Sequence, residues 1–140
     1  MSNKMEFNKM CTINIKTKSR FDIIDITKEV QKCIDEEKVN NGIAVIFVPH
    51  TTAAIGINEN ADPDVVFDMK NAFNKLVPQN DNYRHREGNS QAHLLSSLVS
   101  PSLTVIIENS KIVLGTWQDI YFFEFDGARS RKVYLQIISK

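Results

Sequence analysis

The sequence has 140 residues, the size of one ordinary domain, with 42% hydrophobic residues and 17 basic residues balanced by 17 acidic ones. That balance speaks against a protein holding nucleic acid by general attraction to phosphate, and no stretch approaches the roughly 18 apolar residues of a membrane span. Residues 1–10 contain no apolar run and do not read as a secretory signal, so the cytoplasm is the expected location.

Residues 11–18 alternate apolar and polar side chains, the pattern of a half-buried strand. Cys11 and Cys33 lack a CxxC spacing and read as free thiols, with a disulfide or a zinc pair as the alternative. Asp25-Ile26-Thr27 introduces a helix with Thr27 as N-cap and with Val30, Ile34 and Val39 roughly on one face. Asn40-Asn41-Gly42 stops it. Residues 43–48 form a continuous β-branched run, hence a buried strand, and residues 53–57 form another after the polar Pro49-His50-Thr51-Thr52.

Asp62-Pro63 starts a helix predicted to reach about Val77 and to bury Val66, Met69, Phe73 and Val77. A polar loop leads to a further helix over 91–99, opened by Glu87-Gly88-Asn89-Ser90. The remainder reads as strands at 103–107, 111–114, 119–125 and 131–138, with turns at Asn109-Ser110 and Asp126-Gly127. Strict alternation of strand and helix is missing. The expected fold class is therefore α+β, a β-sandwich-like arrangement of mostly antiparallel sheets with about three helices packed outside, in one domain over 1–140.

The three histidines interrupt structured elements. His50 follows a buried strand, whose end holds it rigidly, while His85 and His93 flank Gly88 near a helix N-terminus. Neutral imidazoles ligate zinc well, yet this spacing matches no standard metal signature. In Asn58-Glu59-Asn60-Ala61-Asp62-Pro63-Asp64, Asp62 and Asp64 serve the helix start, which leaves Glu59 as the carboxylate free for chemistry. In the last cluster, Gln118 and Arg129 are ligand candidates, because guanidinium presents a planar fork to phosphate. Trp117 reads as core or interface packing, and Arg131 and Lys132 read as a solvated strand face.

Taken together, His50-Thr51-Thr52-Ala53-Ala54, Asn58 to Asp64, His85-x-Glu87-Gly88-Asn89-Ser90-x-Ala92-His93, Leu114-Gly115-Thr116-Trp117-Gln118 and Glu124-Phe125-Asp126-Gly127-x-Arg129-x-Arg131 resemble the YjbQ family. The resemblance implies a compact α+β homotrimer with a cleft near a subunit contact, holding a metal ion or an anion. It assigns His50, His85 and His93 to the metal or anion site, Glu59, His85 and His93 to catalysis, and Thr51, Asn89, Ser90, Gln118 and Arg129 to an anionic substrate. It also implies a weak thiamine-phosphate synthase activity, joining pyrophosphorylated hydroxymethylpyrimidine to thiazole phosphate. Three histidines suit zinc better than magnesium, which prefers oxygen ligands. That mismatch keeps two alternatives open: a metal-dependent hydrolase of a phosphorylated metabolite, and a non-catalytic module binding a metal or metabolite. Two departures from the family pattern are Ala128 in place of an expected Pro and Asn109 in place of an expected Gly.

Overall fold

Alternation near the N-terminus builds strands. In the computed structural model, which describes residues 4–140, β1 (Glu6–Phe7) and β2 (Cys11–Lys16) pair antiparallel with the last strand. A strand β3 (Asp22–Asp25) follows, in a stretch to which the sequence reading gave no element. The helix α1 (Thr27–Glu36) starts two residues after Asp25, whose Oδ1 accepts from the Thr27 N–H at 2.9 Å and from its hydroxyl at 2.6 Å. Asp25 thus does the capping work expected of Thr27, and Thr27 is already helical.

Next come β4 (Gly42–Phe47), β5 (Ala53–Glu59), α2 (Pro63–Leu76), α3 (Ser90–Val99), β6 (Ser102–Glu108), β7 (Lys111–Ile112), β8 (Gln118–Glu124) and β9 (Ser130–Ser139). The larger sheet has the order β1-β9-β4-β6-β7, with β2 also on β9, and the smaller has β3-β8-β5. Every pairing among the described residues is antiparallel. Asn109 and Ser110 both adopt positive φ, 51° and 66°, in the two-residue turn between β6 and β7. Asn tolerates that conformation, so the turn keeps its form without Gly.

The sheets face each other across the main core, where Ile13, Ile46, Val105, Ile120, Phe122 and Leu135 meet the Val30–Ile34 face of α1. The outer side of the smaller sheet carries a second core, with Tyr121, Phe123 and Phe125 under α2 and α3. Two α+β layers of sheet with three helices are what the strand order demanded.

Four local expectations are corrected. Cys11 and Cys33 are joined as a disulfide between β2 and α1, with their Cα atoms 6.1 Å apart; a separation of 22 residues gives no hint of that proximity. Closing a loop of that size contributes about 3 kcal/mol in the chain-entropy account. Asp62 does cap α2, accepting from Asp64 N–H at 2.9 Å, but the helix itself buries no residue fully. Val66 and Phe73 are half-buried against the second core, Val77 is buried just past the helix end, and Phe67 and Leu76 face solvent. Trp117 is 63% exposed and belongs to no core, so of its two readings core packing falls. Arg131, finally, is buried at 4% exposure, because Glu124 on β8 of the other sheet draws it inward. No helix among the described residues is long and apolar enough to cross a membrane.

Candidate functional site

The loop from β4 to β5 crosses from one sheet to the other, and that crossing places His50. Val48 N–H donates to the Pro101 carbonyl at 2.7 Å, and Phe125 N–H to the Thr52 carbonyl at 3.1 Å, so the loop is pinned at both ends. Between these pins the Nε2 of His50 accepts the Lys132 backbone N–H at 2.9 Å. Burial first, then the charge of Arg131, holds the His50 pKa below its usual value.

Beneath the loop lies an ion pair enclosed by protein. Glu124, with 0% exposure, accepts from Arg131 through both oxygens, the Nε contact being 2.8 Å. Arg131 Nη2 also donates to Thr52 Oγ1 at 2.8 Å, and the Thr17 hydroxyl donates to Glu124 Oε1 at 2.8 Å. Burial pushes the Glu124 carboxyl up, but the hydrogen bonds from Arg131, Thr17 and the Asp126 N–H outweigh it and leave the pKa below its usual value. Gly127 is required here: a Cβ would lie 2.3 Å from the Ser19 carbonyl and 2.8 Å from Thr17 Oγ1.

Asp126 organises the rim. Its carbonyl accepts from Arg129 Nε at 2.8 Å, and its Oδ2 accepts from Arg129 Nη2 and from Asn89 Nδ2, each at 2.9 Å. Ala128 therefore leaves Arg129 well held. Across the opening, His85 and His93 meet edge to face with ring centroids 5.2 Å apart. His85 Nε2 lies 3.9 Å from Glu87 Oε2, an ion pair when that imidazole is protonated.

These groups line one cavity of 450 Å³. Of the residues singled out in the sequence, His50, Thr51, His85, Asn89, His93 and Arg129 border it. Ser90 sits beside it, buried in the first turn of α3 and lining an adjoining groove with Tyr83 and Leu94. Glu59 and Gln118 are elsewhere. The β5–β8 ladder pairs Ala53 with Glu124 near the cavity and Glu59 with Gln118 at its other end. Six residues of strand separate the two, roughly 20 Å. Gln118 Oε1 accepts from the Gly115 N–H at 2.8 Å and so closes a turn.

The sequence reading overlooked Thr17, Thr52, Glu124, Asp126 and Arg131 as site residues. One signal was present: Glu124 is a lone carboxylate at the end of an apolar run, and such a group needs a cation packed against it. Gln91, also overlooked, ties the elements around the site together. Its Nε2 donates to Asn74 Oδ1 and the Val77 carbonyl, each at 2.8 Å, while its Oε1 accepts from Arg20 at 3.0 Å.

The lining is balanced in charge when the imidazoles are neutral, Arg129 and Arg131 facing Glu87 and Asp126. Any donors the cavity offers are therefore those left over after the internal bonds are made. Nε and Nη2 of both arginines are committed, whereas their Nη1 groups make no hydrogen bond among the described residues and are not enclosed. The first turn of α3, where Asn89 stands as N-cap, has no side-chain cap. Among the described residues no three His, Cys, Asp or Glu side chains are grouped to hold a metal ion, and His50 Nε2 is engaged with Lys132. The donor set in this chain fits an oxyanion and does not fit a three-histidine metal cage.

Two antiparallel sheets with α1 in the core they share and α2 and α3 outside the smaller one, and a histidine- and arginine-lined cavity at the sheet crossing, define the class of protein. The family model described as UPF0047 protein YjbQ-like matches residues 11–140, and the chain belongs to that family. The UPF0047 protein MJ1081 of Methanocaldococcus jannaschii is 56% identical over 89% of this chain and 90% of its own length. YugU of Bacillus subtilis is 50% identical over 91% and 97%. Among solved structures, an uncharacterised conserved protein of the family from Clostridium acetobutylicum superimposes with a TM-score of 0.89 at 52% identity, covering 91% of this chain and 98% of that one. A protein of unknown function from Sulfolobus solfataricus reaches a TM-score of 0.92 at 28% identity, covering 98% and 100%.

Proposed function

We propose that the cavity binds the phosphoryl group of a small metabolite, and that the chain acts as a transferase of the thiamine-phosphate synthase kind. The observation that carries this reading is the gathering of Arg129, Arg131, His50, His93 and the uncapped start of α3 around one opening. In that reaction the thiazole nitrogen attacks the methylene carbon of the pyrimidine, the carbon–oxygen bond breaks, and pyrophosphate leaves with the electron pair. The attacking nitrogen carries no hydrogen, so coupling needs no base. What the protein supplies is stabilisation of charge growing on the leaving oxygens, through the free Nη1 groups and helix amides. This account gives Glu59 no part in the coupling step and leaves His85 and His93 as contacts to the leaving group.

Calorimetric titration with inorganic phosphate and pyrophosphate tests the binding half, and release of pyrophosphate from the two heterocycles tests the transfer half. Binding that Arg129→Ala and His93→Ala each weaken about tenfold is the expected result, the size of one hydrogen bond to a charged group. Absence of binding to both anions overturns the reading.

A second reading is favoured by the His85–His93 contact: zinc held by that pair, for metal-dependent hydrolysis of a phosphorylated metabolite or for binding alone. It requires His50 to release Lys132 or to take no part, and stoichiometric zinc in untagged protein would support it. A homotrimer belongs to the same proposal. The outer face of the larger sheet presents Ile43, Phe47 and Ile106 to solvent, with Ile43 paired directly to Ile106. Such a strip is larger than scattered single residues and favours a second copy as its cover. Light scattering of the native chain and of Ile106→Asp checks it. A cytoplasmic setting completes the reading, and the Cys11–Cys33 bond would there be the feature open to reduction.

A further inference from the structure

His50 is read from the sequence as part of a metal or anion site, and its surroundings separate the two. A backbone N–H is always a donor, so the ring atom that receives it must offer a lone pair. Lys132 N–H meets His50 Nε2 at 2.9 Å, which puts the ring's single proton on Nδ1. The Nδ1–H has no protein acceptor among the described residues, and it is not among the enclosed side-chain atoms that lack a partner. His50 lines the cavity, so this N–H is open to whatever occupies it. Neither nitrogen is then available to a metal: one lone pair is taken by Lys132 and the other position carries a proton. The donor to His50 is main chain of β9, one residue past the buried Arg131, and strand pairing keeps it in place.

We infer that His50 is a fixed neutral hydrogen-bond donor, presenting Nδ1–H to an anionic oxygen of the ligand beside Arg131, and not a zinc ligand. The inference deepens the phosphoryl-binding reading and rests on it for the identity of the oxygen. Its chemical consequence is selectivity. A neutral donor adds an oriented contact without adding charge, so it favours a ligand with an acceptor oxygen at that spot over one with a hydroxyl or amine donor there.

The test is nitrogen-resolved NMR of the full-length chain labelled at histidine, first alone and then with inorganic phosphate, followed by zinc. The expected spectrum has His50 as the Nδ1–H tautomer, with a coupling from Lys132 N–H across to Nε2, and phosphate moves the Nδ1–H signal. His50→Ala should weaken phosphate binding about tenfold while the circular dichroism and melting temperature show a folded chain. An Nε2–H tautomer, loss of the Lys132 coupling on zinc addition, or unchanged phosphate affinity in His50→Ala overturns the inference and leaves phosphate binding standing. If wild-type protein binds no phosphate while the tautomer is as stated, the functional reading falls and takes the ligand contact with it. His50→Asn guards against simple loss of loop structure: its amide retains a donor and should recover part of the affinity.

Discussion

At the Ala53 end of the β5–β8 ladder, polar side chains keep donors unspent, whereas at the Glu59 end they spend them on one another. The Glu59 end is rich in acids. There Asn60 Nδ2 donates to Asp25 Oδ2 at 2.8 Å and to Asp119 Oδ2 at 3.0 Å, and its Oδ1 accepts from the Tyr121 hydroxyl at 2.6 Å. Burial, then the charges of Asp25, Asp119 and Glu59, push the Tyr121 pKa up, so the phenol stays a donor. The cavity end holds the same mixture of amide, carboxylate and ring, yet Arg131, Arg129 and His50 each retain an open N–H. A self-satisfied network secures a strand end; an unsaturated one is prepared for a ligand. Composition alone does not separate the two.

The largest effect should come from breaking the buried pair. Arg131→Met leaves Glu124 enclosed without a cation and should cost about 3–5 kcal/mol in urea unfolding, while adding Glu124→Leu should recover much of that loss. Gly127→Ala comes next: its Cβ has no room beside Ser19 and Thr17, and about 1–3 kcal/mol of destabilisation is expected by the same measurement. At the opposite end, Asn60→Ala should cost about 1 kcal/mol, with phosphate affinity unchanged.

Acid sharpens the contrast further. Glu124 titrates lower in the folded chain than its ordinary 4.5, so the unfolded chain takes up the proton first; its contribution is complete above 4.5 and is lost as pH falls through the folded value. His50 is likewise lowered from 6.5, and its contribution is present above 6.5 and fades below it. Unfolding free energy followed against pH should therefore start to drop below 6.5, and His50→Ala should remove that first limb while leaving the second. The smallest effect is assigned to Glu59→Gln, which should leave both phosphate affinity and pyrophosphate release unaltered, because Glu59 lies at the far end of the ladder from the cavity. A large loss of turnover there would instead show that a second copy brings its Glu59 to this cavity.

Periodicity, turn chemistry and motif order determined much of this protein. The apolar runs at β4 and β8, the Asp62-Pro63 helix start and the Asn109-Ser110 turn are local devices, so the chain states them where they act. The grouping of His50, His85 and His93 was also legible from their places at element ends, and the family resemblance joined Asn89 and Arg129 to them. Pairings across the chain were left to the tertiary structure. Cys11 meets Cys33 because α1 packs beside β2, and Thr17 meets Glu124 across 107 residues because β2 and β8 end at the same corner. Arg131 looked like a surface residue until register turned it toward Glu124, and a one-residue slip would have turned it outward. The state of His50 was decided in the same way: a histidine's tautomer depends on which backbone N–H stands next to it, and here that neighbour is 82 residues away.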